Sequence, residues 1–102
     1  MKRIKPLIAN DPIALARALR LSYADAVEMT VRRQLNDKII EAVKQSGLSH
    51  TDVAKAAQTS RTRLTAVLNR NTSHVSTDLM LRILTVLGYR PKITFVRTRP
   101  AA

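Results

Sequence analysis

The sequence predicts a mainly helical domain: five helices followed by one short strand. Three observations carry that expectation. Apolar residues recur at helical spacing through most of the chain. Only three of 102 residues are aromatic (Tyr23, Tyr89 and Phe95), which leaves Leu, Ile, Val and Ala to fill the core. Serine, proline and glycine punctuate the periodic runs where helices should start and stop. A chain of this length suits one small domain with one modest core. Its 45% apolar content speaks against wholesale disorder.

Taken in order, residues 1–10 form a basic arm without periodicity. Asp11 and Pro12 mark a helix start, with aspartate as N-cap and proline at the first helical position. That helix should end near Leu21. Ser22 caps the next helix, with Asp25 three residues on as an imperfect capping box. Val27, Val31, Leu35, Ile39 and Val43 then recur every fourth residue, and Ile40 widens the stripe. Arg32, Arg33, Asp37, Lys38, Glu41 and Lys44 fall between them and are expected mainly in solvent. Gly47 supplies the stop.

Ser49 is the next cap, with Asp52 behind it, and Val53, Ala54 and Ala57 make a narrow inner face. Thr59 and Ser60 separate this helix from another, 60–69, whose Leu64, Val67 and Leu68 share one side. Arg61, Thr62, Thr65, Ala66 and Asn69 fall on the opposite side, with Arg63 at the border. Ser76 caps a last helix that buries Leu79, Met80, Ile83, Leu84 and Leu87 and ends at Gly88. In KITFVR the period changes: Ile93 and Phe95 alternate with Thr94 and Val96, a strand pattern over 92–97. A lone strand is unstable in water, so this one is expected to pair with a second copy of the chain or with the arm RIKPLI. The organisation expected is a basic arm (1–10), a helical domain (11–90) and a C-terminal strand and tail (91–102).

Charge narrows the function. Eighteen Lys and Arg against seven Asp and Glu give +11, unevenly placed. Residues 1–52 hold nine bases and six acids, whereas residues 53–102 hold nine bases and only Asp78. Such a segregated field suits a polyanion. No apolar run approaches the roughly 18 residues of a membrane span, no segment pairs a basic face with large aromatics, and the N-terminus lacks a signal peptide. The absence of cysteine rules out a disulfide framework and fits a reducing cytosol. Two distant histidines and two glycines offer neither a metal cluster nor a phosphate-cradling loop. No enzyme activity, metal or cofactor is expected.

The stretch from His50 to Leu68 is a short helix, a tight turn and a second helix, and Ala54 is small enough to let the two cross closely. Here the chain resembles the Xre/Cro/phage-repressor helix-turn-helix family. The residues that carry the resemblance are LSHTDVAKAAQTSRTRLTAVLNRN: the alanine, the serine before the second helix, the apolar positions and the terminal asparagine. Over residues 31–96 the likeness extends to VSTDLMLRILTVLGYRPKITFVR, similar to the antitoxin-like branch of host-inhibition-of-growth (HigA-type) proteins. Gln58 replaces the usual turn glycine, His50 stands where glutamine is common, and Arg70 follows Asn69 where glycine is frequent.

The resemblance implies a five-helix phage-repressor-like bundle, helix-turn-helix at 50–68, with a short C-terminal strand that forms a dimer. It implies a second helix lying in the major groove, its N-terminal residues at base edges. Arg61 and Thr62 are then the base readers, with Ala66 against a methyl group one turn later. His50, Thr51, Ser60, Asn69 and Asn71 would hold the DNA backbone by the family pattern. Arg63 and Thr65 border that row, and Arg70, Thr72 and Ser73 extend it. Ile93, Thr94, Phe95 and Val96 would form the dimer strand. The partners implied are double-stranded DNA, a second copy of the chain and, in the antitoxin-like reading, a toxin protein, with no membrane. The location implied is cytoplasmic and nucleoid-associated. A protein-interaction module without specific DNA binding is the third reading.

Overall fold

The computed structural model describes residues 12–20 and 22–97. The expectations for the basic arm, for Asp11 as a cap and for the end of the tail lie outside the described residues. Among the described residues five helices are formed: α1 (Pro12–Leu19), α2 (Tyr23–Ser46), α3 (His50–Ala56), α4 (Arg61–Leu68) and α5 (Thr77–Val86). Ser22, Ser49 and Ser76 cap as expected, and Ser60 does the same for α4. Each sits in extended backbone, and its hydroxyl accepts the N–H of the residue three further on, at 3.0–3.1 Å. A cap of this kind contributes about 1 kcal/mol.

The helix ends follow one pattern too. Gln58, Arg70 and Gly88 have left-handed backbones, with φ of 58°, 62° and 92°. In each case this residue's N–H and that of its successor fold back onto carbonyls of the last turn. Gln58 donates to Lys55 and Thr59 to Ala54; Arg70 donates to Val67 and Asn71 to Ala66; Gly88 donates to Thr85 and Tyr89 to Leu84. These are Schellman endings, in which the chain satisfies carbonyls that a helix end otherwise orphans. Only one of the three uses glycine at the left-handed position.

α1 packs on α2, α2 on α4 and α5, and α3 on both α4 and α5. Ile39, Val43, Val53, Ala57, Leu64, Val67, Met80 and Ile83 form the centre of a single core. The expected stripe on α2 holds at Ile39 and Val43, which are buried, and in part at Val27, Leu35 and Ile40, which are half-buried. It is corrected at Val31, which is 45% exposed, while Ala26, Thr30, Asn36 and Ala42 are buried. A strict period of four drifts by about 40° per step on a helix of 3.6 residues per turn, so five such positions cannot share a face. A second inward row is Arg32, Asn36, Ile39 and Val43, spaced four, three and four, and its N-terminal half is polar. Buried Thr30 turns its hydroxyl back onto the Ala26 carbonyl.

The strand expected at 92–97 is also corrected. Residues 91–97 carry no regular secondary structure, and there is no β-strand among the described residues. Ile93, Phe95 and Val96 are 71, 90 and 81% exposed, and Thr94 between them is exposed as well. β-forming composition is insufficient when no neighbouring strand meets the backbone N–H and C=O groups. The segment enters instead through Tyr89, half-buried against the core. The Lys38 ammonium stands 4.6 Å from the Tyr89 ring centroid. Its hydrogen bond to Glu41 holds the lysine above its ordinary pKa, with desolvation opposing.

Gln58 carries a left-handed strain that glycine would relieve, partly offset by the greater freedom of glycine in the unfolded chain. Gln58→Gly is therefore expected to keep the fold and raise Tm by about 2–4 °C, read by thermal denaturation. A clear loss of stability would contradict the turn geometry.

Candidate nucleic-acid interface

α3 and α4 are seven and eight residues long, too short to persist alone. Ala54, 3% exposed, lies at their crossing with Val53, Ala57, Leu64 and Val67, all buried. The turn between them, from Ala57 to Ser60, contains the left-handed Gln58 and the capping Ser60. This packing leaves one side of α4 to solvent. Arg61, Thr62, Arg63 and Thr65 are exposed there, and Ala66 is half-buried with contact to the core. His50 and Thr51 are exposed in the first turn of α3. Ser60 spends an oxygen lone pair on its cap and keeps its O–H to donate.

The loop after α4 carries the other expected backbone residues. Asn69 is the exposed C-cap of α4, and Arg70, Asn71 and Ser73 are exposed while Thr72 is half-buried. Arg70 is already paired: its Nη2 lies 2.6 Å from Oδ1 of Asp37 on α2. Arg61 and Arg63 have no ion pair with any described residue, so their charge is available in full. Ile93, Thr94 and Phe95 lie elsewhere, along a groove with Val31, Leu35 and Leu84. They do not join the α4 surface.

Three structural side chains were absent from the expected site, and they hold it in place. Arg32, expected in solvent, is partly buried. Its Nη1 donates to Oγ1 of Thr77, and its Nη2 donates to the carbonyls of Thr72 and Val75, so one guanidinium spans the loop from α4 to α5. Buried Asn36 donates from Nδ2 to the Val67 carbonyl at 2.8 Å, fixing the end of α4. Arg82 on α5 donates from Nε to the Ala57 carbonyl at 2.7 Å, fixing the end of α3. The spacing of Arg32, Asn36, Ile39 and Val43 was the available signal, hidden because polar residues were counted as solvent-facing.

What results is a solvent-exposed helix face with two arginines, unpaired among the described residues, and two threonines, in a stretch, 53–77, that contains no acid. Guanidinium and hydroxyl groups can donate to base edges and to phosphate oxygens. Among the described residues, no group of His, Cys, Asp or Glu is placed to hold a metal ion. No described helix is long and apolar enough to cross a membrane.

A family model described as a helix-turn-helix domain matches residues 20–95, which is 76 of the 102 residues. No curated protein and no solved structure matches the chain.

Arg32→Met keeps most of the side-chain volume and removes the loop clamp. It is expected to cost about 2 kcal/mol, because carbonyls half-hidden from water lose their donor. That corresponds to a fall in Tm of roughly 8–16 °C. A shift under about 2 °C would show that the loop does not depend on Arg32.

Proposed function

The chain belongs to the helix-turn-helix domain family, and on that footing we propose that it is a sequence-specific double-stranded DNA-binding transcriptional regulator, a dimeric repressor of the Xre/Cro kind. The observation that carries this reading is the exposed face of α4, with Arg61, Thr62, Arg63 and Thr65 free of any neighbouring acid in sequence. α4 lies in the major groove. Arg61, first in the helix, takes the O6/N7 edge of a guanine, and Thr62 takes an adjacent base or methyl group. Arg63, Thr65 and the loop residues Asn69 to Ser73 hold phosphates, as do His50, Thr51 and Ser60. The protein works by occupancy without catalysis or cofactor, in the cytoplasm at the nucleoid.

A domain of this size contacts only a few base pairs, so useful specificity calls for two copies on paired half-sites. The exposed apolar side chains Ile93, Phe95 and Val96 favour self-association, since a second copy would remove them from water. Sedimentation of the free protein and of its complex with a selected duplex is expected to show two chains per site. One chain per site would exclude the dimer.

A second reading is favoured by a separate observation. Leu19, Tyr23, Met29 and Val31 are each over 40% exposed on α1 and α2, outside the helix-turn-helix. Exposed apolar side chains in this part of the chain suit an antitoxin that neutralises a protein toxin and represses its own operon. A small toxin-like reading frame beside the gene, whose product co-purifies with the chain and is lost on substituting these residues, would favour it.

Site selection from random duplexes at physiological salt tests the regulator directly, and an enriched palindrome is expected. Arg61→Ala is expected to cost about 1–3 kcal/mol on the selected site and relax preference at one base pair. A loss equal on all sequences would remove Arg61 as a base reader, and no enriched site would leave an interaction module.

A further inference from the structure

Between α2 and the loop after α4 lies an open cleft of about 460 Å³. Arg32, Arg33, Arg70, Asn36, Thr72 and Met29 line it. None of these residues belongs to α3 or α4. We propose that this cleft is a phosphate-binding site separate from the base-reading face, with Arg33 and Arg70 as its cationic ligands and Asp37 as an internal counter-ion that phosphate displaces.

The charge count motivates the assignment. Three guanidiniums converge on one cleft, and the carboxylate paired with them is Asp37, bound to Arg70. Arg33 is exposed and has no ion pair with any described residue. Like charges gathered in a concave site raise its potential and concentrate anions there. Arg32 adds its field without moving, because three hydrogen bonds fix it to the loop.

Guanidinium chemistry suits a phosphoryl anion, because the parallel N–H groups of each fork match two of its oxygens. The pair to be displaced is the contact of Arg70 Nη2 with Oδ1 of Asp37. Both partners of that pair are about half exposed, and ion pairs of that kind are weak. Displacement is therefore cheap. The left-handed backbone at Arg70 fixes where its side chain leaves the chain, one residue past the C-cap of α4. A duplex held on α4 would bring its backbone past this loop, so DNA is one source of the phosphate. A free phosphoryl anion is the other. Naming DNA as the source rests on the function proposed above; the chemistry of the cleft does not.

The test uses the full chain with Arg33→Gln and Asp37→Asn, both surface substitutions whose folding is checked by thermal denaturation. Affinity for a selected and a scrambled duplex is measured across a salt series. Pyrophosphate is titrated separately at constant ionic strength, following the backbone amide resonances of residues 29–37 and 69–72. Arg33→Gln is expected to weaken both duplexes alike, by roughly threefold to tenfold, and to lower the salt slope by about 0.9, the value for one phosphate. Asp37→Asn is expected to strengthen both, by a factor of about three, because Arg70 is released. If duplex binding ignores Arg33 while pyrophosphate shifts the cleft resonances in wild type and not in Arg33→Gln, the site holds and its ligand is a free phosphoryl anion. If neither ligand responds to Arg33, the proposal is overturned. A wild-type chain that binds no duplex would end the regulator reading and leave the pyrophosphate titration to decide the cleft.

Discussion

The whole arrangement depends on how two very short helices keep their C-terminal carbonyls satisfied. An α-helix leaves its last four carbonyls without internal partners, and α3 and α4 are only seven and eight residues long. For helices of that size the orphaned groups outnumber the internal bonds they can afford to lose. The chain meets them twice over. Folding back through Gln58–Thr59 and Arg70–Asn71 satisfies the last turns from within. Arg82 and Asn36 then reach in from the longer helices and bind the carbonyls of Ala57 and Val67. The two helices of the candidate interface are thus held by their ends, which leaves the outer face of α4 free of structural duties.

This division of labour sorts the arginines, which composition alone cannot. Arg82 lends its Nε, and Arg32 both terminal nitrogens, to backbone carbonyls, so they act as framework. Arg61 and Arg63 are exposed with no ion pair among the described residues. Arg70 stands between the two groups, tied to α2 by a pair open to solvent. A net charge of +11 therefore overstates the field available to a polyanion at any one place. What matters is which guanidiniums still have unspent donors, and where.

Much of the fold was legible in the sequence because helix punctuation is local chemistry. Serine at 22, 49 and 76 acts within four residues of itself, and Gly47 and Gly88 take left-handed backbones that need no tertiary partner. Leu64, Val67, Leu79, Met80, Ile83 and Leu84 reported their faces correctly, since apolar spacing answers to one helix at a time. Two things were not legible. Arg32 and Asn36 share a side of α2 with Ile39 and Val43, which their spacing could mark, but their partners lie 31–45 residues away in sequence, so no local pattern shows what they bind. The segment 92–97 has the composition of a strand, but a strand is a relation between two segments, and no partner strand lies among the described residues. For the candidate interface, residue type and helical phase placed Arg61, Thr62, Arg63 and Thr65 on the open side of α4. Neither could show that Arg70 is paired with Asp37.

The arginine at the left-handed end of α4 has one more consequence. Glycine would suit the backbone there, as Gly88 shows at the end of α5, with φ of 92°. The same relief at Arg70 would also erase a cation beside the α2 cleft. Stability and charge therefore pull this position in opposite directions, whereas at Gln58 they do not conflict. A selection that scored thermal robustness alone would accept glycine at both sites and, under the reading proposed here, would yield a tougher protein with a weaker hold on phosphate. At residue 70 a left-handed backbone and a cation paired with Asp37 are joined in one side chain.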